Sequence, residues 1–248
     1  MSSSRTRVSV RPLNAAERAN RAKTTFLNNM SHDIRTPLTS IVGGVSTLLD
    51  SGDQLDEATR TQLLENIRDE SNWLVSVVEN LLSVTRMTGE QTKIKKEMEA
   101  GEEVLSAAAM KIKKHYPDID VSVHAPQELL MIPMDVILIE QVLINLMENA
   151  VLHAKGATEI ELRVRREGGL ARFSVLDNGA GIDPAVLPKL FEEMFPHAGE
   201  LRGDGRRSMG IGLSVCMSIV RAHGGTMKAK NRATGGACVS FVLPMGEE

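Results

Sequence analysis

Aromatic residues are the component that this sequence has least of. Only 3% of its 248 residues are Phe, Tyr or Trp, with a single Trp and a single Tyr among them. Aliphatic side chains and the 13 Met residues must therefore fill the core, a balance that suits a helical bundle and an α/β layer. A chain of this length can form one large domain or two ordinary ones.

Cysteine, an excess of one charge and long apolar runs are also lacking. Cys216 and Cys238 have neither metal-ligand spacing nor a disulfide-rich context, so they fit a reducing compartment and are expected to be buried. The net charge of −3 gives no global electrostatic reason to bind nucleic acid. No apolar run approaches the roughly 20 residues that span a bilayer, and no signal peptide is visible, so we expect the chain as given to be soluble.

The N-terminal third is predicted to be helical. Residues 1–12 have nothing to bury and are predicted to be flexible, and residues 13–88 are predicted to form two helices. Apolar residues recur every three or four positions between Phe26 and Leu48 and again between Leu63 and Val84, with Asp56 as the N-cap of the second helix. Because one apolar stripe per helix is too little for a stable hairpin, two copies are expected to pair into a four-helix bundle.

The remaining part, residues 93–248, alternates strands with helices, which predicts an α+β sandwich. The boundary between the two parts is placed at residues 87–92. Strands are predicted near residues 93–98, 120–124, 129–132, 159–165, 171–176, 226–231 and 237–243, and helices near residues 102–114, 134–153, 184–191 and 210–222.

A histidine beside a carboxylate lies in the first predicted helix. His32 precedes Asp33 and lies two residues from both Met30 and Ile34, roughly 200° around the helix, so it is predicted to point away from the apolar face. Pro37 cannot donate to the carbonyl of Asp33, so the helix is predicted to kink or loosen beside His32. Taken alone, this pattern is also that of an exposed surface histidine in a kinked helix.

The apolar helix of residues 134–153 carries polar residues at three- and four-residue spacing. Its polar side consists of Asn145, Glu148, Asn149 and His153. An amide oxygen is a hard, neutral ligand that suits a Mg²⁺ ion held mostly by water and phosphate. The alternative is a helix with an ordinary polar, exposed face.

Two glycine-containing stretches complete the candidate nucleotide site. After a predicted strand, Asp177 can accept from an adenine amino group, while Gly179 and Gly181 permit positive φ and close approach to a flat ring. Gly210 and Gly212 open a helix whose N-terminal amides favour phosphate. The preceding loop contains three basic residues that can close over a triphosphate, namely Arg202, Arg206 and Arg207.

The order and spacing of these four blocks resemble the histidine sensor kinases of two-component systems, and the resemblance covers nearly everything after residue 14. Residues 78–86, 142–151 and 235–244 are especially similar to one particular sensor of that family. The resemblance implies an all-α dimerisation hairpin, forming a four-helix bundle in the homodimer, followed by an α+β sandwich of the Bergerat (GHKL) ATPase type.

The resemblance also implies the reaction. His32 would accept the γ-phosphoryl group of ATP, while Asp33 holds or deprotonates one imidazole nitrogen so that the other can attack. The phosphoryl group would then pass to an aspartate in the receiver domain of a response regulator. Thr36, one turn after His32, fits the phosphatase pattern of bifunctional members of the family.

ATP and Mg²⁺ are the implied cofactors. By similarity, Asn149 is the Mg²⁺ ligand, Asn145 assists the metal site, and Asp177 binds adenine. The chain would be the cytoplasmic portion of a membrane-anchored sensor, with no membrane contact of its own and no nucleic-acid partner.

Four positions depart from the family pattern. Leu152 stands where a lysine is usual, His153 replaces a tyrosine-like residue, Met194 lies in an aromatic box and Ser208 replaces the first glycine of the glycine-rich box. These departures affect nucleotide affinity rather than the class of reaction. Two alternatives remain open: an ATPase of the gyrase/Hsp90 group, and a non-catalytic scaffold with decayed nucleotide binding.

Overall fold

The structure is a computed structural model that describes residues 34–51, 54–88, 94–191 and 209–246. It divides into two compact units, Met1–Leu74 and Val75–Glu248. The predicted flexible segment, His32, Asp33 and the loop arginines Arg202, Arg206 and Arg207 lie outside the described residues, as do Met194 and Ser208. So does the predicted loosening of the helix beside His32.

The described part of the first unit contains two α-helices. Helix α1 covers residues 34–51, and helix α2 covers Glu57–Thr88 and continues into the second unit. Asp56 is the N-cap of α2, since its Oδ1 accepts from the backbone N–H of Thr59 at 2.7 Å, and this bond lowers the pKa of Asp56. The helices approach closely at Gly44, where an added Cβ would lie 3.1 Å from Ile67.

The predicted apolar stripe of α1 is only partly buried. Ile34, Ile41 and Leu48 are half-buried, but Leu38 and Val45 are exposed in the single chain, and their burial against a second copy stays a prediction. The reason is geometric: packing against a single neighbouring helix covers a narrow arc of α1, and residues to one side of that arc stay in solvent.

The described part of the second unit contains two sheets and three α-helices in addition to the end of α2. Its elements are β1 (Glu97–Ala100), α3 (Gly101–His115), β2 (Asp120–His124), β3 (Met131–Met134), α4 (Val136–His153), β4 (Glu159–Glu167), β5 (Leu170–Asp177), a 3₁₀ turn (Leu187–Lys189), α5 (Met209–Ala222), β6 (Thr226–Asn231) and β7 (Ala237–Pro244). β1 pairs with β3, and the larger sheet has the order β2-β4-β5-β7-β6, antiparallel except for the β2–β4 pair.

The core lies between one face of the large sheet and the helices α3, α4 and α5. Along β4, Ile160, Leu162 and Val164 are buried in strict alternation, as expected for a strand with one covered face. Phe173 and Phe241 stack across β5 and β7 with ring centroids 4.9 Å apart. Burying side chains of this size stabilises the fold by about 1.5–3 kcal/mol each.

Helix α4 has the length and apolar composition of a membrane span, and it alone does so in the described part of the chain. It is also a core helix of the sandwich, because its apolar side packs against α3 and α5. Both cysteines are buried as predicted, and burial raises the pKa of Cys216 to about 12. Cys216 therefore behaves as a small apolar residue rather than as a nucleophile.

Most predicted elements are found within two residues of their predicted ends. β1 and β3 begin later than predicted, because their mutual pairing, from Glu97 with Met134 to Ala100 with Met131, sets both ends. The helix predicted at residues 184–191 is only the 3₁₀ turn. Pro188 has no N–H to donate to the carbonyl of Pro184, so a regular helix does not continue there.

His223 joins the end of α5 to the start of α4. The ring is buried, its Nδ1 lies 2.8 Å from the carbonyl oxygen of Ile219, and its Nε2 accepts from the backbone N–H of Asp135 at 3.1 Å. Since Nε2 accepts, Nδ1 must carry the proton of the neutral ring. Burial lowers the pKa of His223, and protonation would also turn a second N–H toward the Asp135 amide.

The second unit should therefore lose stability in mild acid. The unfolded chain takes up a proton on His223 near its ordinary pKa of 6.5, whereas the folded chain does so only at lower pH. The contribution of the neutral His223 ring to the free energy of unfolding is fully present above the unfolded pKa. It is lost as the pH falls through the lowered folded pKa, by at most about 1.4 kcal/mol per pH unit. Urea melts between about pH 7.5 and pH 5 measure this slope.

His223→Gln keeps an acceptor for the Asp135 amide but cannot be protonated, so it should flatten the slope. His115→Gln is the matched control, because His115 is exposed at the end of α3 and its replacement should leave the slope unchanged. A His223→Gln protein that loses stability as steeply as the wild type would refute this explanation.

Candidate nucleotide-binding site

A cavity of about 560 Å³ opens in the second unit beside α4, the end of β5 and the loop that follows it. This volume lies within the roughly 300–1,000 Å³ typical of small-molecule sites. Apolar residues, among them Leu146, Val175 and Leu213, form much of its wall. The polar and glycine residues that line it are Asn149, His153, Lys155, Asp177, Gly181 and Asp183.

Asp177 ends β5 and presents a buried carboxylate to the cavity. Its Oδ1 accepts from the backbone N–H of Gly179 at 3.0 Å and from that of Ala237 at 3.2 Å. Both bonds use the same oxygen, so they fix the orientation of the group and leave Oδ2 as the oxygen for a ligand. A carboxylate held in this way can accept from an exocyclic amino group such as that of adenine.

The glycines around Asp177 are required by close packing. A Cβ at Gly179 would lie 2.8 Å from the Cβ of Ala154, and Gly181 has a φ of +80°. Gly236, with a φ of +79°, packs directly on the carbonyl group of Asp177, where any Cβ would collide. The loop therefore follows a path that larger residues cannot take.

Asn149 and His153 lie one turn apart on α4, and both line the cavity. Asn149 is half-buried, so its amide oxygen can reach a ligand. No cluster of three or more His, Cys, Asp or Glu side chains capable of holding a metal occurs among the described residues. Such a sparse donor set fits Mg²⁺ that arrives with nucleotide phosphates and takes a single protein ligand.

Asn145 differs from its neighbours on α4. It is only 3% exposed and does not line the cavity. Its Nδ2 donates to Oδ1 of Asn80 on α2 at 2.7 Å, and its own Oδ1 accepts from Nε2 of Gln141 at 3.3 Å. Its support of the metal site stays a prediction, and any such support would act through the position of α4.

Helix α5 reaches the cavity through Leu213, with Gly210 and Gly212 in its first turn. Leu152, at the position where lysine is usual, is 45% exposed and lies outside the cavity lining. Two lining residues, Lys155 and Asp183, carried no periodic signal in the sequence. Their proximity to Asn149 and Gly181 along the chain was the only available hint.

Two family models match the chain. The His Kinase A (phospho-acceptor) domain matches residues 22–90, and the histidine kinase-, DNA gyrase B-, and HSP90-like ATPase domain matches residues 134–247. The chain therefore belongs to the histidine kinases, and it is an ATP-binding catalytic core of two-component signalling. The phospho-acceptor match excludes a plain ATPase of the gyrase/Hsp90 group.

Among its relatives, the chain is 38% identical to Sensor protein KdpD of Clostridium acetobutylicum over 90% of this chain and 25% of that protein. It is 34% identical to Sensor protein KdpD of Escherichia coli K12 over 88% of this chain and 24% of that protein. KdpD is the sensor that residues 78–86, 142–151 and 235–244 resemble. The chain thus spans about a quarter of the length of these curated relatives.

A solved structure of the histidine kinase ThkA in complex with the response regulator protein TrrA has the same fold. It matches with a TM-score of 0.66 and 24% identity, over 93% of this chain and 65% of that chain. The predicted fold class, a helical hairpin followed by an α+β sandwich of the kinase type, is confirmed.

Proposed function

We propose that this chain phosphorylates His32 from Mg-ATP bound in the cavity and passes the phosphoryl group to an aspartate of a response-regulator receiver domain. The observation that carries the proposal is the Asp177 carboxylate, fixed by two backbone amides on the wall of a nucleotide-sized cavity. Asn149 lines the same cavity from helix α4, and we assign it to the phosphates of the bound nucleotide.

In the proposed reaction each residue has one task. Asp177 accepts from the adenine amino group, and Asn149 provides an amide oxygen for the metal ion. When bound, Mg²⁺ neutralises charge on the phosphates. Asp33 holds one imidazole nitrogen of His32 so that the other attacks the γ-phosphorus, with ADP as the leaving group. Arg202, Arg206 and Arg207 stabilise the charge that develops on the transferred group.

Transfer to a regulator tests the second half of the proposal. Labelled protein is mixed with a receiver domain and, as the control, with the same domain lacking its acceptor aspartate. We expect the label to move to the intact receiver and to stay on the kinase when the aspartate is replaced. Transfer to both receivers would contradict an aspartyl acceptor.

We also propose a homodimer through the helical hairpin. Leu38, Val42, Val45 and Leu49 form a second apolar stripe along α1, and Val42 and Leu49 are 58% and 80% exposed. These residues repeat at four, three and four positions, the spacing of one helix face. A second copy would cover this stripe and form the four-helix bundle.

Val42→Glu should convert the dimer to a monomer, because it buries an unpaired carboxylate in the interface. Light scattering at micromolar concentration measures the mass. Thr47→Glu is the control: Thr47 is exposed and lies roughly 140° around the helix from Val42, so this variant should stay dimeric. A wild-type protein with a monomeric mass would disprove the bundle.

Thr36 carries the proposed phosphatase activity. It is half-buried on α1 and lies four residues after His32 in the sequence, a spacing at which its hydroxyl can orient a water molecule toward the regulator phosphate. Thr36→Ala should retain autophosphorylation but lose dephosphorylation of the regulator, whereas Thr36→Ser should keep both. The half-life of the phosphorylated regulator is the measurement, and equal half-lives with wild type and Thr36→Ala would rule out this role.

We further propose that the chain is the cytoplasmic kinase core of a longer, membrane-anchored sensor. The support is the similarity to sensor proteins about four times its length.

A further inference from the structure

The turn between β6 and β7 contacts the loop that carries Asp177. At the end of β6, Asn231 makes two hydrogen bonds with a single residue of that loop. Its Oδ1 accepts from the backbone N–H of Ile182 at 2.8 Å, and its Nδ2 donates to the carbonyl oxygen of Ile182 at 2.7 Å. The carboxamide thus satisfies both backbone groups of a residue 49 positions away.

The next residue, Arg232, holds the other end of the same loop. Its Nη1 donates to the backbone carbonyl oxygen of Asp177 at 2.6 Å. The turn itself is closed by the bond from the N–H of Arg232 to the carbonyl of Gly236 at 2.9 Å. One tight turn therefore anchors both ends of the loop formed by residues 177–182.

We propose that Asn231 and Arg232 are positioning residues for base recognition. By fixing residues 177–182, they hold the Asp177 carboxylate and Gly181 where they meet the adenine ring. This inference rests on the proposed function, in which Asp177 accepts from the adenine amino group. A loop that is already ordered loses little conformational entropy when the base binds, so its contacts contribute fully to affinity and selectivity.

The proposed role of Asn231 in base recognition can be tested separately from its effect on folding. Asn231 is exposed, and its side chain adds nothing to the apolar core. The loop has an independent attachment through Asn178, whose Oδ1 accepts from the backbone N–H groups of Thr158 and Glu159 and whose Nδ2 donates to Oγ1 of Thr158. Removing the Asn231 bonds therefore loosens one side of the loop and leaves the sheet intact.

The test is the selectivity for the amino group. Dissociation constants are measured for Mg-ATP and for purine riboside triphosphate, which lacks only the 6-amino group. Changes in phosphate or metal binding affect both nucleotides equally, so they cancel in the ratio of the two dissociation constants. We expect the wild type to prefer ATP and Asn231→Ala to lower that preference about three- to tenfold. Arg232→Gln should act in the same direction.

Thr234→Ala is the control, since Thr234 is exposed in the same turn, and it should keep the wild-type ratio. A folded Asn231→Ala protein with the wild-type ratio overturns the inference while leaving the proposed function standing. A wild type that binds both nucleotides equally overturns the role of Asp177, and the inference with it. If Asn231→Ala fails to fold, Asn231→Asp, which has the same shape but replaces the donated bond by a carboxylate oxygen facing the Ile182 carbonyl, must show the lowered ratio.

Discussion

His32→Gln should bind Mg-ATP as the wild type does and take up no phosphate from it. A glutamine amide nitrogen is not a nucleophile, whereas a neutral imidazole nitrogen is, so this substitution removes the reacting atom. His32 lies within the residues matched by the phospho-acceptor domain, and the described residues that line the cavity all belong to the second unit. Nucleotide binding should therefore be independent of His32.

The measurement is retention of label from γ-labelled ATP, with a nucleotide titration on the same preparation. His115→Gln is the matched control, since it replaces an exposed histidine of the second unit and should label normally. Label that persists in His32→Gln would place the acceptor elsewhere. Loss of nucleotide binding in that variant would show that His32 acts on the cavity instead.

The second large effect concerns Asn149 and Asp177, whose substitutions should weaken nucleotide binding in different ways. Asn149→Ala should abolish the part of nucleotide affinity that depends on Mg²⁺, because the amide oxygen is the proposed metal ligand. Asp177→Asn should weaken binding with or without Mg²⁺, because its amide nitrogen would face the adenine amino group donor to donor. The loss of a charge-assisted hydrogen bond predicts roughly a 10- to 150-fold weaker Kd.

Titrations with Mg²⁺ and with a chelator separate the two roles. Asp183→Asn is the control, because Asp183 lines the same cavity and an Asn Oδ1 can still accept from the backbone N–H of Ala185. We expect it to bind within about twofold of the wild type. If Asn149→Ala and Asp177→Asn both bind Mg-ATP normally, the nucleotide does not occupy this cavity.

Local patterns predicted most of the fold. The apolar periodicity of α4 and the alternation along β4 are properties of neighbouring residues, and both elements were placed within two residues. The exposed state of Leu38 and Val45 was not predictable, because the apolar pattern of α1 does not say which residues one neighbouring helix covers and which it leaves for a second. The same limit applies to β1, whose ends are set by its pairing with β3.

The candidate site was predicted where it depends on contiguous motifs. Asn149, His153, Asp177 and Gly181 line one cavity, as their motifs suggested. Contacts that depend on strand order were missed. The bonds from Asn231 and Arg232 to the Asp177 loop span 49 and 55 residues and exist only because β5 and β6 both flank β7.

The burial of Asn145 was missed for the same reason. Its partner Asn80 lies 65 residues away on a different helix. Helical spacing placed Asn145 on the polar side of α4 with Asn149, but spacing cannot show that another helix covers one end of that side.

The chemical stability of the label on the wild-type protein tests the central claim most directly. The protein is incubated with γ-labelled ATP and Mg²⁺, and the product is divided between acid and base. A phosphoramidate on His32 predicts label that is lost in acid and survives base. Label that survives acid, as a hydroxyl ester does, or no label at all, as a non-catalytic scaffold requires, would contradict the account.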